Sequence, residues 1–147
     1  MTRDEGLELR MRRVFPVPRE AVFRALTDPE ELARWWGPDG FSIPGAESDL
    51  RPGGGYRIVM RPPQGEPFDV VGEFLEVVPP ERLSYTFRWE DPDPEDRETV
   101  VTLSLRDLGG TAAELLLTQT GFATERRRAL HDEGWTQSLD KLENLIS

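Results

Sequence analysis

The sequence predicts an α+β fold: a curved, seven-stranded antiparallel sheet wrapped around one long C-terminal helix, with two short helices after the first strand. Three observations carry this expectation. From Phe41 to Gln119, apolar and polar residues alternate in segments separated by turn residues, the pattern of an antiparallel meander with one buried face. After Gly121-Phe122 the period lengthens to that of a helix, and Trp135, Leu139, Leu142 and Ile146 make one apolar stripe. With 147 residues there is enough chain for one core, so residues 1–147 are expected to form a single domain.

The elements follow in order. Leu7 to Val14 alternate loosely into Phe15-Pro16-Val17-Pro18, an opening strand stopped by prolines. Arg19 to Leu26 is a short helix with Pro18 at its first turn and Val22, Phe23 and Leu26 on its apolar face. Asp28-Pro29-Glu30-Glu31 signals a second helix: an Asp cap, a proline at the first helical position and Glu three residues after the cap. It is expected to run about two turns to Gly37-Pro38. Six strands then fall near 41–49, 54–61, 67–78, 82–89, 98–107 and 111–119. Their turns are Arg51-Pro52-Gly53-Gly54, Pro62-Pro63-Gln64-Gly65, Pro79-Pro80-Glu81, the acidic loop Glu90 to Asp96, and Leu108-Gly109-Gly110. Thr124 caps the last helix, which extends to about Ile146.

Composition narrows the function classes. The chain lacks cysteine, which removes disulfides, thiolate catalysis and cysteine metal sites and fits a cytoplasmic protein. It has no apolar run of membrane-spanning length, so a soluble protein is expected. A net charge of −10 without a basic stripe argues against nucleic acid as a partner, and Arg126-Arg127-Arg128 reads as a solvated helix face. Arg51 to Gly55 shares only glycine content with a phosphate loop and reads as a hairpin turn.

One helix about 10–12 Å across leaves part of the concave face of a twisted seven-stranded sheet uncovered. A cavity between sheet and last helix is therefore expected, apolar with a few polar groups, as small-molecule sites are. The period-two reading turns Tyr56, Ile58, Met60, Tyr85, Phe87, Trp89, Leu103, Leu115, Leu117 and Gln119 inward. Phe41, Phe74, Trp135, Leu139 and His131 complete the expected lining with Trp35 and Trp36. In Arg34-Trp35-Trp36-Gly37-Pro38 the two indoles straddle the Leu32 stripe. Either Trp35 packs in the core while Trp36 roofs the cavity mouth, or both seal the end of the sheet. Gln119 either bonds to Tyr85 or backbone as structure, or touches a ligand.

Motifs spread over the chain resemble the family of the activator of Hsp90 ATPase homologue (AHSA1-like), within the START-like, Bet v 1-like (SRPBCC) superfamily. They are Pro18 to Pro29, Trp35-Trp36-Gly37-Pro38, Asp49 to Gly54, Gly72 to Val77 with Pro79 to Leu83, Thr118 to Phe122, and Gly134-Trp135. The resemblance implies the helix-grip fold, in agreement with the order of elements read above. It also implies a cavity for an apolar molecule of unknown identity or, alternatively, a co-chaperone-like module that contacts a protein. Polyketide cyclase-like catalysis, known elsewhere in the superfamily, is a third reading.

Chemistry in the side chains is sparse. His131 lies four residues before Trp135 and either serves as a general base or packs at the rim. One histidine and no cysteine give no zinc set, and no metal or cofactor is expected. The acidic loop Glu90 to Asp96 reads as mobile and hydrated. Glu73 and Glu76 flank the apolar pair Phe74-Leu75, and a bulge there would let either carboxylate reach the cavity. The expectation is a small apolar-ligand-binding protein without intrinsic catalysis, with Tyr85 and Gln119 orienting polar groups.

Overall fold

Residues 7–146 are described by the structure, a computed structural model. The strands are β1 (Glu8–Phe15), β2 (Ser42–Ser48), β3 (Gly55–Arg61), β4 (Phe68–Val78), β5 (Arg82–Trp89), β6 (Thr99–Leu108) and β7 (Ala112–Thr120). The helices are α1 (Arg19–Thr27), α2 (Pro29–Leu32) and α3 (Glu125–Ile146). All seven strands form one antiparallel sheet in the order β1-β7-β6-β5-β4-β3-β2. This is the helix-grip arrangement, with element ends within a residue or two of those read from the alternation.

The second helix is shorter than expected, with a local cause. Asp28 caps it by accepting from Glu30 N at 3.0 Å. The Leu32 carbonyl then accepts from both Trp35 N (3.2 Å) and Trp36 N (3.0 Å), which tightens the chain into turns after one helical turn. Gly37, at φ +94°, reverses the direction. The two indoles therefore leave on different headings, 5.7 Å apart and tilted by 55°.

The β4–β5 ladder is interrupted. It skips Gly72 and Glu73, and a register shift between Phe74 and Glu76 marks a bulge at Leu75. In the gap the Tyr56 hydroxyl donates to Thr86 O at 2.6 Å, and Glu73 N donates to Thr86 Oγ1 at 2.9 Å. Glycine is required at 72: a Cβ there would lie 2.0 Å from Thr86 O and 2.6 Å from the Tyr56 ring. The bulge does not aim the flanking carboxylates inward. Glu73 and Glu76 are both exposed, and Glu76 pairs with Arg82 at 2.8 Å.

α3 lies toward the β1 edge. Arg13 points inward from β1, bonds to Asp140 at 2.9 Å and Glu143 at 3.4 Å, and donates to Thr136 O. Seven strands about 4.8 Å apart span roughly 29 Å, far more than one helix covers. The bowl is filled by one core that includes Leu103, Leu115 and Leu117 from the sheet and Leu139 and Leu142 from α3. α1 packs against β6 and β7, while α2 and the turn that carries the tryptophans close the β2 side.

Candidate functional site: an aromatic cavity at one end of the sheet

A cavity of about 470 Å³ opens between the first half of α3, the Trp36–Phe41 turn and the ends of β3, β4 and β5. Its walls are Trp36, Phe41, Met60, Phe68, Phe87, Trp89 and Trp135, a lining suited to a small apolar molecule. Trp36 stacks on Phe87 at 6.3 Å and meets Trp135 edge-on at 5.3 Å. Phe68 stands edge-on to both Phe41 (6.0 Å) and Trp89 (5.3 Å) at the mouth. Such edge and offset contacts hold the rings rigid before anything binds.

The turn carrying Trp36 is fastened to α3. Asp39 N donates to Gln137 Oε1 at 2.8 Å, and Lys141 Nζ reaches Pro38 O at 3.4 Å. Gly134 lies on α3 opposite Pro38. A helical glycine costs up to about 1 kcal/mol relative to alanine, so its presence needs a reason, and here it leaves room in the cavity.

Polar groups enter from two sides. On α3, Arg127, His131, Gly134 and Ser138 share one face at helical spacing. His131 packs against Phe122 (5.0 Å), Phe87 (5.4 Å) and Trp89 (5.9 Å). Burial pushes its imidazole down to about 4, with Asp96 opposing and Arg127 adding to the shift, so the ring is neutral at pH 7. A neutral imidazole can both donate and accept a hydrogen bond. Ser138 is buried and lines the cavity, and its hydroxyl has no hydrogen-bond partner among the described residues.

The acidic loop forms the other side. Expected to be free in solvent, it is tied to α3: Arg127 Nη2 bonds to Asp93 at 3.0 Å, and Arg127 Nε lies 3.5 Å from Asp96. Thr124 Oγ1 reaches Glu95 at 3.5 Å, and Arg57 holds Glu90 at 2.6 Å. Asp91, Asp93 and Asp96 consequently line the rim. Among the described residues no group of histidine and carboxylate side chains is arranged to hold a metal ion.

The expected lining residues separate into three sets. Trp36, Phe41, Met60, Phe87, Trp89, His131 and Trp135 meet at the main cavity. Tyr56, Ile58, Phe74 and Tyr85, again with Trp36, line a second hollow of about 30 Å³ under α1 and α2, roughly the space of one water. Burial drives the ionisation of both tyrosines far above its ordinary range, so each stays a neutral phenol. Trp35, Leu103, Leu115, Leu117, Gln119 and Leu139 line neither space and are buried in the core. Trp35 donates from Nε1 to Ala25 O at 2.8 Å, a structural bond.

Gln119 differs from expectation in its partners. It is fully buried, donates to Thr99 Oγ1 and accepts from Trp135 Nε1, each at 2.8 Å, and contacts neither Tyr85 nor backbone. Both ends of the amide are occupied, so it positions the Trp135 indole instead of facing the cavity. Sequence reasoning omitted Phe68, Arg127, Leu130, Gly134, Ser138 and the three rim aspartates from the lining. The α3 members were recoverable: 127, 134 and 138 lie four, three and seven residues from His131.

Comparison with known proteins agrees with this architecture. Residues 16–147 match the family described as "Activator of Hsp90 ATPase homolog 1-like protein". A crystallised protein from Chromobacterium violaceum is 32% identical, with 96% of this chain and 97% of that one covered and a TM-score of 0.85. The AHSA1 protein from Silicibacter pomeroyi is also 32% identical, with 95% and 96% covered and a TM-score of 0.82. A protein from Nitrosomonas europaea gives 32% identity, 99% and 97% coverage and a TM-score of 0.80. No functionally curated protein matches the chain. Among the described residues no helix is long and apolar enough to cross a membrane. Fold and family match lead to one conclusion: the chain belongs to the activator of Hsp90 ATPase homologue 1-like family.

Proposed function

We propose that residues 1–147 act as one START-like domain that binds a small, largely apolar molecule in the aromatic cavity and does not transform it. The observation that carries this reading is the cavity of about 470 Å³ walled by seven apolar and aromatic side chains. It falls in the size range of small-molecule pockets, roughly 300–1,000 Å³. Apolar burial supplies affinity at about 25 cal/mol per Å². Ser138 and His131 orient the polar groups of the bound molecule, the task that the sequence had assigned to Tyr85 and Gln119. Packing of His131 among three rings favours a binding role over a catalytic one. A cytoplasmic setting fits a chain without cysteine.

The family match supports a second reading, a co-chaperone-like module that contacts a protein partner. Native mass spectrometry of the protein purified from its own host separates the two. Binding predicts a fraction with added mass that denaturation releases, and a melting temperature raised by the released compound. A protein carrying only its own mass, indifferent to apolar compounds yet retained by a partner, would contradict the cavity reading and favour the interaction module.

A further inference from the structure

The charge at the cavity mouth indicates which molecules enter. Asp91, Asp93 and Asp96 line the rim, and the one cation among the lining residues is Arg127. Arg127 pairs with Asp93 at 3.0 Å and lies 3.5 Å from Asp96, where its buried Nε makes no hydrogen bond. Asp91 has neither a hydrogen bond nor an ion pair with any described residue. His131, neutral at pH 7, does not offset the carboxylates. Three negative charges against one positive leave the mouth anionic, beside the electron-rich faces of Trp89 and the partly exposed Phe68. Independently of this rim, Ser138, a residue only 4% exposed, opens its hydroxyl to the cavity without a protein partner, so a polar group of an occupant can bond there as well.

We propose that the cavity takes apolar molecules bearing a cationic nitrogen, with the cation at the mouth beside Asp91 and Asp93 and the hydrocarbon body inside, and that it disfavours carboxylates. The physical basis is twofold. A carboxylate beside an aromatic ring is the usual receptor for an alkylammonium group, through charge and ring quadrupole together. An anion would be brought against unpaired Asp91, and the one cation on the lining, Arg127, already has its charge paired with Asp93 and Asp96 although its Nε makes no hydrogen bond. This inference rests on the cavity reading above and specifies the charge of its ligand.

Three naphthalenes of nearly equal size test it by isothermal titration: 1-naphthylmethylamine, 1-naphthalenemethanol and 1-naphthoate. The expected order of affinity is amine, alcohol, acid. The amine should exceed the alcohol about tenfold in dilute buffer, as one partly solvated charge pair does. That preference should shrink in 1 M salt, where the screening length falls to about 3 Å. Asp91→Asn should reduce it, whereas Glu81→Gln, at the far end of β5, should not. Equal binding of amine and alcohol, or preference for the acid, would overturn the charge assignment while leaving the cavity reading intact. Binding of none of the three, by a protein that melts normally, would overturn both.

Discussion

Gly134 offers a test in which stability and binding should move in opposite directions. It sits in the interior of a 22-residue helix, where replacing glycine with alanine ordinarily gains about 0.5–1 kcal/mol. Its backbone is not in the left-handed region, so no conformational penalty opposes a side chain. A Cβ would meet Pro38 Cγ at 3.8 Å, ordinary van der Waals contact. Gly134→Ala is therefore expected to stabilise the fold by about 0.5–1 kcal/mol. For a chain of this length each kcal/mol shifts the melting temperature by roughly 2–4 °C, so a rise of about 1–4 °C should appear in thermal unfolding. Gly134→Phe keeps only part of the helical gain and projects a ring into the cavity. Binding of the neutral dye N-phenyl-1-naphthylamine, followed by its fluorescence, should fall at least tenfold in that variant. A drop in melting temperature for Gly134→Ala would refute the claim that open space faces this glycine. Undiminished dye binding by a well-folded Gly134→Phe would refute the claim that this space is where molecules bind.

Other expectations follow from the same geometry. His131 is the only histidine, so its ring protons titrate alone in a proton NMR spectrum, with an expected midpoint near 4. Because the native ring binds its proton more weakly than the unfolded ring, near 6.5, the native state loses stability as pH falls from about 6.5 to 4, by at most about 2–3 kcal/mol. His131→Phe should flatten that slope in urea unfolding, and an unchanged slope would assign it to other groups. Gln119→Leu strands the Trp135 indole N–H and should cost about 2–4 kcal/mol; in Gln119→Leu/Trp135→Phe the cost should be at least about 1 kcal/mol below the sum of the single changes, as a double-mutant cycle would show. Gly72→Ala, which sets a methyl group against Thr86 O, should cost about 2–3 kcal/mol, while an equal melting temperature would mean the interrupted ladder relaxes freely.

Much of the fold was legible because period-two alternation in β5, β6 and β7 continues without interruption, and the change of period after Phe122 marks α3 clearly. Less legible were places where hydrogen bonds override the pattern. The Leu32 carbonyl, accepting twice, ends α2 early, and that choice is invisible in Asp28-Pro29-Glu30-Glu31. At Phe74-Leu75 two apolar neighbours signalled a bulge, yet not that Glu76 would turn outward to Arg82. For the site, parity separated the inward side chains from the outward ones. It did not say which inward residues α3 would cover. That depends on Arg13 drawing the helix toward the β1 edge, a tertiary pairing more than a hundred residues apart. Leu103, Leu115 and Leu117 fall within the buried core, whereas Met60, Phe87 and Trp89 border open space. The acidic loop looked solvated by composition, since nothing local announces that Arg127 will bind it.

The four tryptophans provide the most direct measurement, because each indole N–H gives its own signal in a nitrogen–proton correlation spectrum. Titration with N-phenyl-1-naphthylamine should move the Trp36 and Trp89 signals, and the amides of His131 and Ser138, along one saturable curve. The Trp35 signal, bonded to Ala25 O behind the cavity wall, should stay in place. Shifts confined to the outer face of the sheet, or no saturable shift at Trp36 and Trp89, would contradict a binding cavity at this end of the molecule.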